Sequence, residues 1–150
     1  MYRKLLFSIL TLFTLKSMAQ DDETAIKTVI NNMFDGMRKT DSVLIRSAFA
    51  PKAILQTIAK TKEGKISVRS EVLDSFIIAV TRPHKEVYDE RIIFDLVKVD
   101  AELAIAWTPY QFFIDEKFSH CGVNSFQLVK IEGQWKIQYL IDTRRRQDCK

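Results

Sequence analysis

Glu90, Gln111, His120, Asn124 and Arg145 are polar residues set in otherwise apolar strands, and the expected strand register gathers them at one end of one sheet face. A carboxylate, an imidazole and a guanidinium at the mouth of an apolar funnel can orient a small ligand. Glu90 and His120, the candidate catalytic groups, can also pass a proton. The competing reading is a sheet edge entering water, with Glu90 and Arg145 as surface charges. Tyr88, Trp107, Phe113 and Tyr139 fall on the same face and could stack on a flat ligand, although aromatic residues on a covered sheet face serve the core first. Phe34 and Met37 of the first helix would line or fill the same space. Tyr110 and Phe112 follow Pro109, which interrupts a strand; a bulge there would redirect both toward the pocket. The candidate ligand-binding set is therefore Phe34, Met37, Tyr88, Glu90, Trp107, Tyr110, Gln111, Phe113, His120, Asn124, Tyr139 and Arg145.

Other chemistries are disfavoured. His84 has no partner in sequence, and two histidines without clustered carboxylates do not make a metal site. Gly36, Gly64, Gly122 and Gly133 form neither a phosphate-cradling loop nor a dinucleotide fingerprint, so no cofactor is expected. Cys121 adjoins His120, but neighbouring strand residues point to opposite faces, which rules out a thiol–imidazole dyad in a regular strand. Asp142 and Arg144 are spaced as a strand-edge ion pair on the opposite face.

The elements that must position these residues follow from periodicity. Ile26, Val29, Ile30, Met33, Phe34 and Met37 recur at helical spacing. Asp41 can cap a short second helix with Leu44, Ile45, Ala48 and Phe49 inward, stopped by Pro51. A strand over 53–60, a turn and a short returning strand over 66–68 precede a third helix, which carries Val72, Leu73, Phe76, Ile77 and Val80 on one face and ends before Pro83. Four strands follow, over 87–99, 102–115, 118–131 and 134–144, joined by two-residue turns at Asp100-Ala101, Glu116-Lys117 and Glu132-Gly133. That register sets Phe126 opposite Tyr139 and Trp107, Leu128 opposite Ile137 and Ile105, and Glu90 opposite Gln111. Helices followed by a strand meander predict an α+β fold. The other face, with Ala106, Tyr110, Phe112, Val123 and Val129, is apolar enough to predict a homodimer.

This order, with GQWKI after the last turn, resembles the nuclear transport factor 2-like superfamily, which includes SnoaL-like cyclases and ketosteroid isomerases. Small secreted bacterial members carry a pattern matched here by Tyr110, Phe112, Ser119 to Val123, Phe126 to Val129, Trp135 to Ile137 and Asp142 to Arg145. The resemblance implies a cone-shaped, strongly curved, mostly antiparallel sheet closed by three N-terminal helices, a pocket at the open end and dimerisation through the sheet. The polar pair expected deep in a ketosteroid isomerase pocket falls here on apolar residues.

Arg3 and Lys4, an apolar run from Leu5 to Leu15, and Ser17, Met18 and Ala19 have the layout of a signal peptide over residues 1–19, leaving one domain over 20–150 that is periplasmic or secreted. The apolar run is shorter than the roughly 20 residues that span a bilayer, so no membrane association is expected after cleavage. Cleavage lowers Lys plus Arg from 23 to 20 against 19 acids, and the net charge from +4 to about +1. A near-neutral domain gives no reason to expect nucleic-acid binding. Three readings remain: an exported domain binding a small molecule, with Arg145 pointing to an anionic one; an isomerase, cyclase or dehydratase using acid-base chemistry; and a dimeric scaffold without ligand.

Cys121 and Cys149 are expected to pair in an oxidising compartment. The bridge should contribute on the order of 3 kcal/mol by loop closure. Alkylation of the exported protein without reductant should leave its intact mass unchanged; two alkyl adducts would show free thiols instead.

Overall fold

The computed structural model describes the backbone of residues 2–61 and 63–149 and the side chains of residues 21–61 and 63–149. Side chains of the expected export signal, including its cleavage site at Ala19, lie outside the described residues. Among the described residues no helix is long and apolar enough to cross a membrane.

Helix α1 (Tyr2–Lys39) buries Ile26, Ile30, Met33, Phe34 and Met37 along one stripe. It ends where Thr40 turns to a φ of 52° and the Asp41 amide donates back to the Gly36 carbonyl at 2.8 Å. Asp41 then caps α2 (Ser42–Ala48), its carboxylate accepting from the Leu44 amide at 2.9 Å. Gly36 makes this corner possible, because a Cβ there would lie 2.6 Å from Ile45 Cγ1. Phe49, expected at the end of α2, instead begins strand β1 (Phe49–Lys60), with β2 (Ile66–Glu71) and α3 (Leu73–Thr81) following. The remaining strands are β3 (Tyr88–Ile92), β4 (Leu96–Asp100), β5 (Leu103–Ile114), β6 (Lys117–Ile131) and β7 (Gln134–Arg145).

One sheet holds all seven strands in the order β2-β1-β7-β6-β5-β3, with β4 also on β5 and only the β1–β7 pair parallel. The fold is α+β, three helices against one face of an unclosed, mostly antiparallel sheet. The single strand expected over 87–99 is broken into β3 and β4. The break lies opposite Pro109, whose carbonyl accepts from the Ile93 amide at 3.0 Å. In an antiparallel ladder a residue's N and O face the same neighbour, so the donor that proline lacks is missing on this edge.

Register is where expectation and structure part. The β5–β6 turn is Asp115-Glu116, with φ of 49° and 63°, one residue earlier than expected. The expected Glu116-Lys117 turn would have put a lysine in the left-handed region, whereas Asp115 tolerates it and also accepts from the Val87 amide at 2.8 Å. A bulge at Ser119 follows. Turn and bulge together slip β5 by one residue, and a one-residue slip turns a strand over. Ala104, Ala106, Tyr110 and Phe112 therefore face the helices, while Leu103, Ile105 and Trp107 are 50%, 40% and 45% exposed on the outer face. Phe126 pairs with Ala106, not Trp107, and Glu90 with Phe112, not Gln111. The apolar stripe that suggested a dimer thus loses Ala106, Tyr110 and Phe112 to the interior.

The Glu132-Gly133 turn forms with φ of 50° and 77°, and Leu128 pairs with Ile137. A second bulge at Gln138 then inserts one residue into β7, so Phe126 pairs with Leu140 and Gln127 with Tyr139. Gln138 reaches across to donate to the Lys52 carbonyl at 3.2 Å. The core centres on Phe126, Leu128, Trp135 and Ile137 beneath Ile26, Ile30 and Met33, with Phe34 edge-on to Phe126 at 6.4 Å. Cys121 and Cys149 form a disulfide, Cα to Cα 5.8 Å, that folds the tail back beside β6.

This register predicts unequal costs for two aromatic truncations. Phe126→Ala, at a fully buried position, should cost about 3 to 5 kcal/mol in urea unfolding. Trp107→Ala should cost about 1 kcal/mol or less. A larger loss at Trp107 than at Phe126 would restore the expected register.

Candidate functional site

Between α1, α3 and the inner face of the sheet lies a cavity of about 280 Å³. Met33, Phe34 and Met37 of α1, Phe76 and Val80 of α3, Tyr88 of β3, Phe112 of β5, Leu55 of β1 and Leu140 of β7 form its apolar wall. Its polar lining comes from Gln56, Thr57, Glu71, Glu90, His120, Asn124, Asp142 and Arg144.

Asp142 is the best-held of these. Only 8% exposed, it accepts from Thr57 Oγ1 at 2.5 Å and Arg144 Nε at 2.9 Å, with the Tyr110 hydroxyl 3.2 Å away. The same hydroxyl lies 2.9 Å from the Thr143 carbonyl. Burial, with the negative charges of Glu90 and Asp142, pushes the Tyr110 hydroxyl well above its ordinary pKa, so it stays a donor. Gly122 gives Tyr110 room for this reach. A Cβ on Gly122 would lie 2.7 Å from the tyrosine ring and 1.7 Å from the Thr143 carbonyl oxygen.

Glu90 has a different setting. Its Oε1 accepts from Asn124 Nδ2 at 2.7 Å, and no cation pairs with it among the described residues. Burial raises its pKa to about 7, the Asp142 charge adding and Asn124 and Arg144 opposing. His120 is pushed down, first by burial and then by the positive charges of Arg144 and Arg146, so its imidazole is neutral at pH 7. Its ring stacks on Phe112 at 4.9 Å and meets Tyr110 edge-on at 5.8 Å, with Nδ1 3.1 Å from Ser119 Oγ. One cavity thus holds a carboxylic acid titrating near neutrality, a neutral imidazole and a fixed carboxylate–guanidinium pair. Such a set can donate to and accept from a small polar ligand, and its first two members can exchange a proton.

The structure places Phe34, Met37, Tyr88, Glu90, His120 and Asn124 on this cavity, with Tyr110 behind Asp142. Five expected members are elsewhere. Trp107, Gln111 and Phe113 lie on the outward positions of β5 because that strand is turned over; the Arg91 guanidinium sits over the Phe113 ring at 4.2 Å. Tyr139 and Arg145 leave the cavity because of the Gln138 bulge. Tyr139 donates to Gln56 Oε1 at 2.7 Å and Arg145 to the Asp148 carbonyl at 3.1 Å. The same bulge brings in Asp142 and Arg144, which the sequence reading set on the other face. An aspartate within the strand segment Tyr-Leu-Ile-Asp is the signal that could have found them, since a carboxylate there needs partners. Among the described residues no group of His, Cys, Asp and Glu gathers as a metal site.

The raised Glu90 pKa has a definite sign in stability. Between pH 4.5 and about 7 the folded protein holds a proton that the unfolded chain has released, so stability falls as pH rises through that window. Glu90→Gln removes this dependence. In urea unfolding the variant should gain on the wild type from pH 5 to pH 8, by up to about 3 kcal/mol. A difference constant across that range would show an ordinary carboxylate.

Residues 21–139 match the model of the family described as "Putative lumazine-binding". An NTF2-like protein of unknown function from Shewanella baltica superposes with a TM-score of 0.65 at 17% identity, over 83% of this chain and 94% of that one. A protein of unknown function from Mycobacterium tuberculosis gives 0.71 at 14% identity, over 88% and 76% of the two chains. A cystatin-like-fold domain from Nostoc punctiforme gives 0.62 at 17%, over 83% and 78%. No curated protein shows significant sequence similarity to the chain. Fold and family model agree: the chain has the fold of the NTF2-like and cystatin-like structures and belongs to the family described as "Putative lumazine-binding".

Proposed function

We propose that this chain is an exported domain that binds a small molecule in the cone, between α1, α3 and the polar ends of β3, β6 and β7. The observation that carries this reading is the cavity of about 280 Å³ with Glu90 on its wall, a carboxyl that has an amide partner but no cation among the described residues. A carboxyl held in apolar surroundings without a counter-charge serves packing poorly and a ligand well. The volume lies at the low end for ligand pockets, which suits a molecule of one or two rings. Aromatic walls at Phe34, Tyr88 and Phe112 favour a flat one, and the family's description names a bicyclic heterocycle of that kind. Export is supported by the signal-like first nineteen residues together with the disulfide. Self-association is proposed through the outer sheet face, where Leu103, Ile105 and Trp107 are exposed together.

A second reading, acid-base catalysis on a carbonyl compound, is favoured by one observation. Glu90 titrates near neutrality on the same cavity as a neutral His120, which suits an acid and a base.

Native mass spectrometry of the protein purified from its exported compartment should show a retained small molecule, and titration with lumazine should quench that molecule's fluorescence. Glu90→Gln and His120→Ala should weaken binding about tenfold or more without unfolding the protein. Empty spectra with no lumazine binding, or full binding in both variants, would contradict the assignment. Turnover of a carbonyl substrate lost in Glu90→Gln while binding persists would favour the catalytic reading.

A further inference from the structure

A second cleft joins the cavity at its mouth, and its lining is confined to His120, Arg144, Arg145 and Arg146. His120 and Arg144 belong to both spaces. Among the described residues no carboxylate lines the cleft. Arg144 spends its Nε on Asp142 at 2.9 Å and one Nη on Thr57 Oγ1 at 3.5 Å, leaving further guanidinium donors over. Arg145 donates to a backbone carbonyl, and Arg146 makes no ion pair among the described residues. Three adjacent guanidiniums, of which Arg144 alone has a carboxylate partner among the described residues, repel each other unless an anion meets them.

The fold holds this cluster in place. Arg144 continues the inward-facing row of β7 set by the Gln138 bulge. Beyond it the Cys121–Cys149 disulfide and the Arg145–Asp148 hydrogen bond turn the tail back over the end of β6. Arg146 comes close enough for its charge to act on the His120 ring. The site is thereby graded: the carboxyls Glu90 and Asp142 line the cavity and the guanidiniums rim it. A ligand with an apolar, hydrogen-bonding body and an anionic end fits this gradient in one orientation only.

We propose that the mouth is an anion subsite, where Arg144, Arg146 and His120 hold a carboxylate, phosphate or sulfonate carried by the molecule whose body occupies the cone. This rests on reading the cavity as a ligand site. Guanidinium binds such oxyanions through parallel N–H donors, and an anion bound here also favours protonation of His120.

The test uses two matched two-ring dyes, naphthalene-1-sulfonate and its uncharged counterpart naphthalene-1-sulfonamide. Binding is followed by calorimetry and by the ring resonances of His120, one of two histidines in the chain. The sulfonate dye should bind about tenfold more tightly at low salt, and this preference should shrink as sodium chloride is raised. It alone should raise the His120 titration midpoint, and Arg146→Ala should bring the affinity ratio toward one. Equal affinity for both dyes, or an unchanged ratio in Arg146→Ala, overturns the anion subsite while leaving the cavity reading intact. If neither dye perturbs His120, the cavity reading falls and the subsite with it.

Discussion

The site depends on one extra residue in β7. Before Gln138 the strand presents Trp135 and Ile137 to the helices and builds core. After it the inward positions are Leu140, Asp142 and Arg144. Without the bulge, side-chain alternation would send Tyr139, Ile141 and Thr143 inward and leave the carboxylate and guanidinium outside. Gln138 is held at this point by its bond to the Lys52 carbonyl, beside the place where β1 itself loses register against β7. Strands that change partners and parity together bend the sheet, and the bend opens a space the helices do not fill.

Within that space two carboxyl groups have been given opposite environments. Asp142 receives a guanidinium, a threonine hydroxyl and a nearby tyrosine hydroxyl. Glu90 receives one amide, and the Asp142 charge works against its ionisation. Hydrogen bonds and a guanidinium fix Asp142 in place, while burial and the neighbouring charge raise the Glu90 carboxyl to about 7. The polar network is thus divided into an acceptor fixed by its partners and a group able to donate. Gly122 belongs to this arrangement although it carries no side chain, since a methyl group there would drive Tyr110 away from Asp142.

Much of the architecture was legible in residue order. The apolar stripe of α1, the Asp41 cap, the stop before Pro83 and the Glu132-Gly133 turn follow from local rules, and all are present. The inward face of β6, with His120, Asn124, Phe126 and Leu128, was also readable, because its alternation is unbroken from His120 onward. The face of β5 was not. Trp107 and Ile105 are larger than Ala104 and Ala106, so a hydrophobic pattern favours burying them, yet the small pair is what lies beneath the helices. Bulges at Ser119 and Gln138 leave no mark in composition; the first turns β5 over relative to β6, and the second reverses β7 beyond it. The Gln138 bulge alone sets Arg144 on the cavity and Arg145 off it.

Asp142 shares a cavity with Glu90, which the straight register would forbid by placing them on opposite faces. Carbon-13 titration of the Glu90 carboxyl in the wild type and in Asp142→Asn tests it directly. The Glu90 midpoint should lie near 7 in the wild type and fall part of the way toward 4.5 when the neighbouring charge is removed, burial still holding it up. A Glu90 midpoint unmoved by Asp142→Asn would contradict the bulged register and the site built on it.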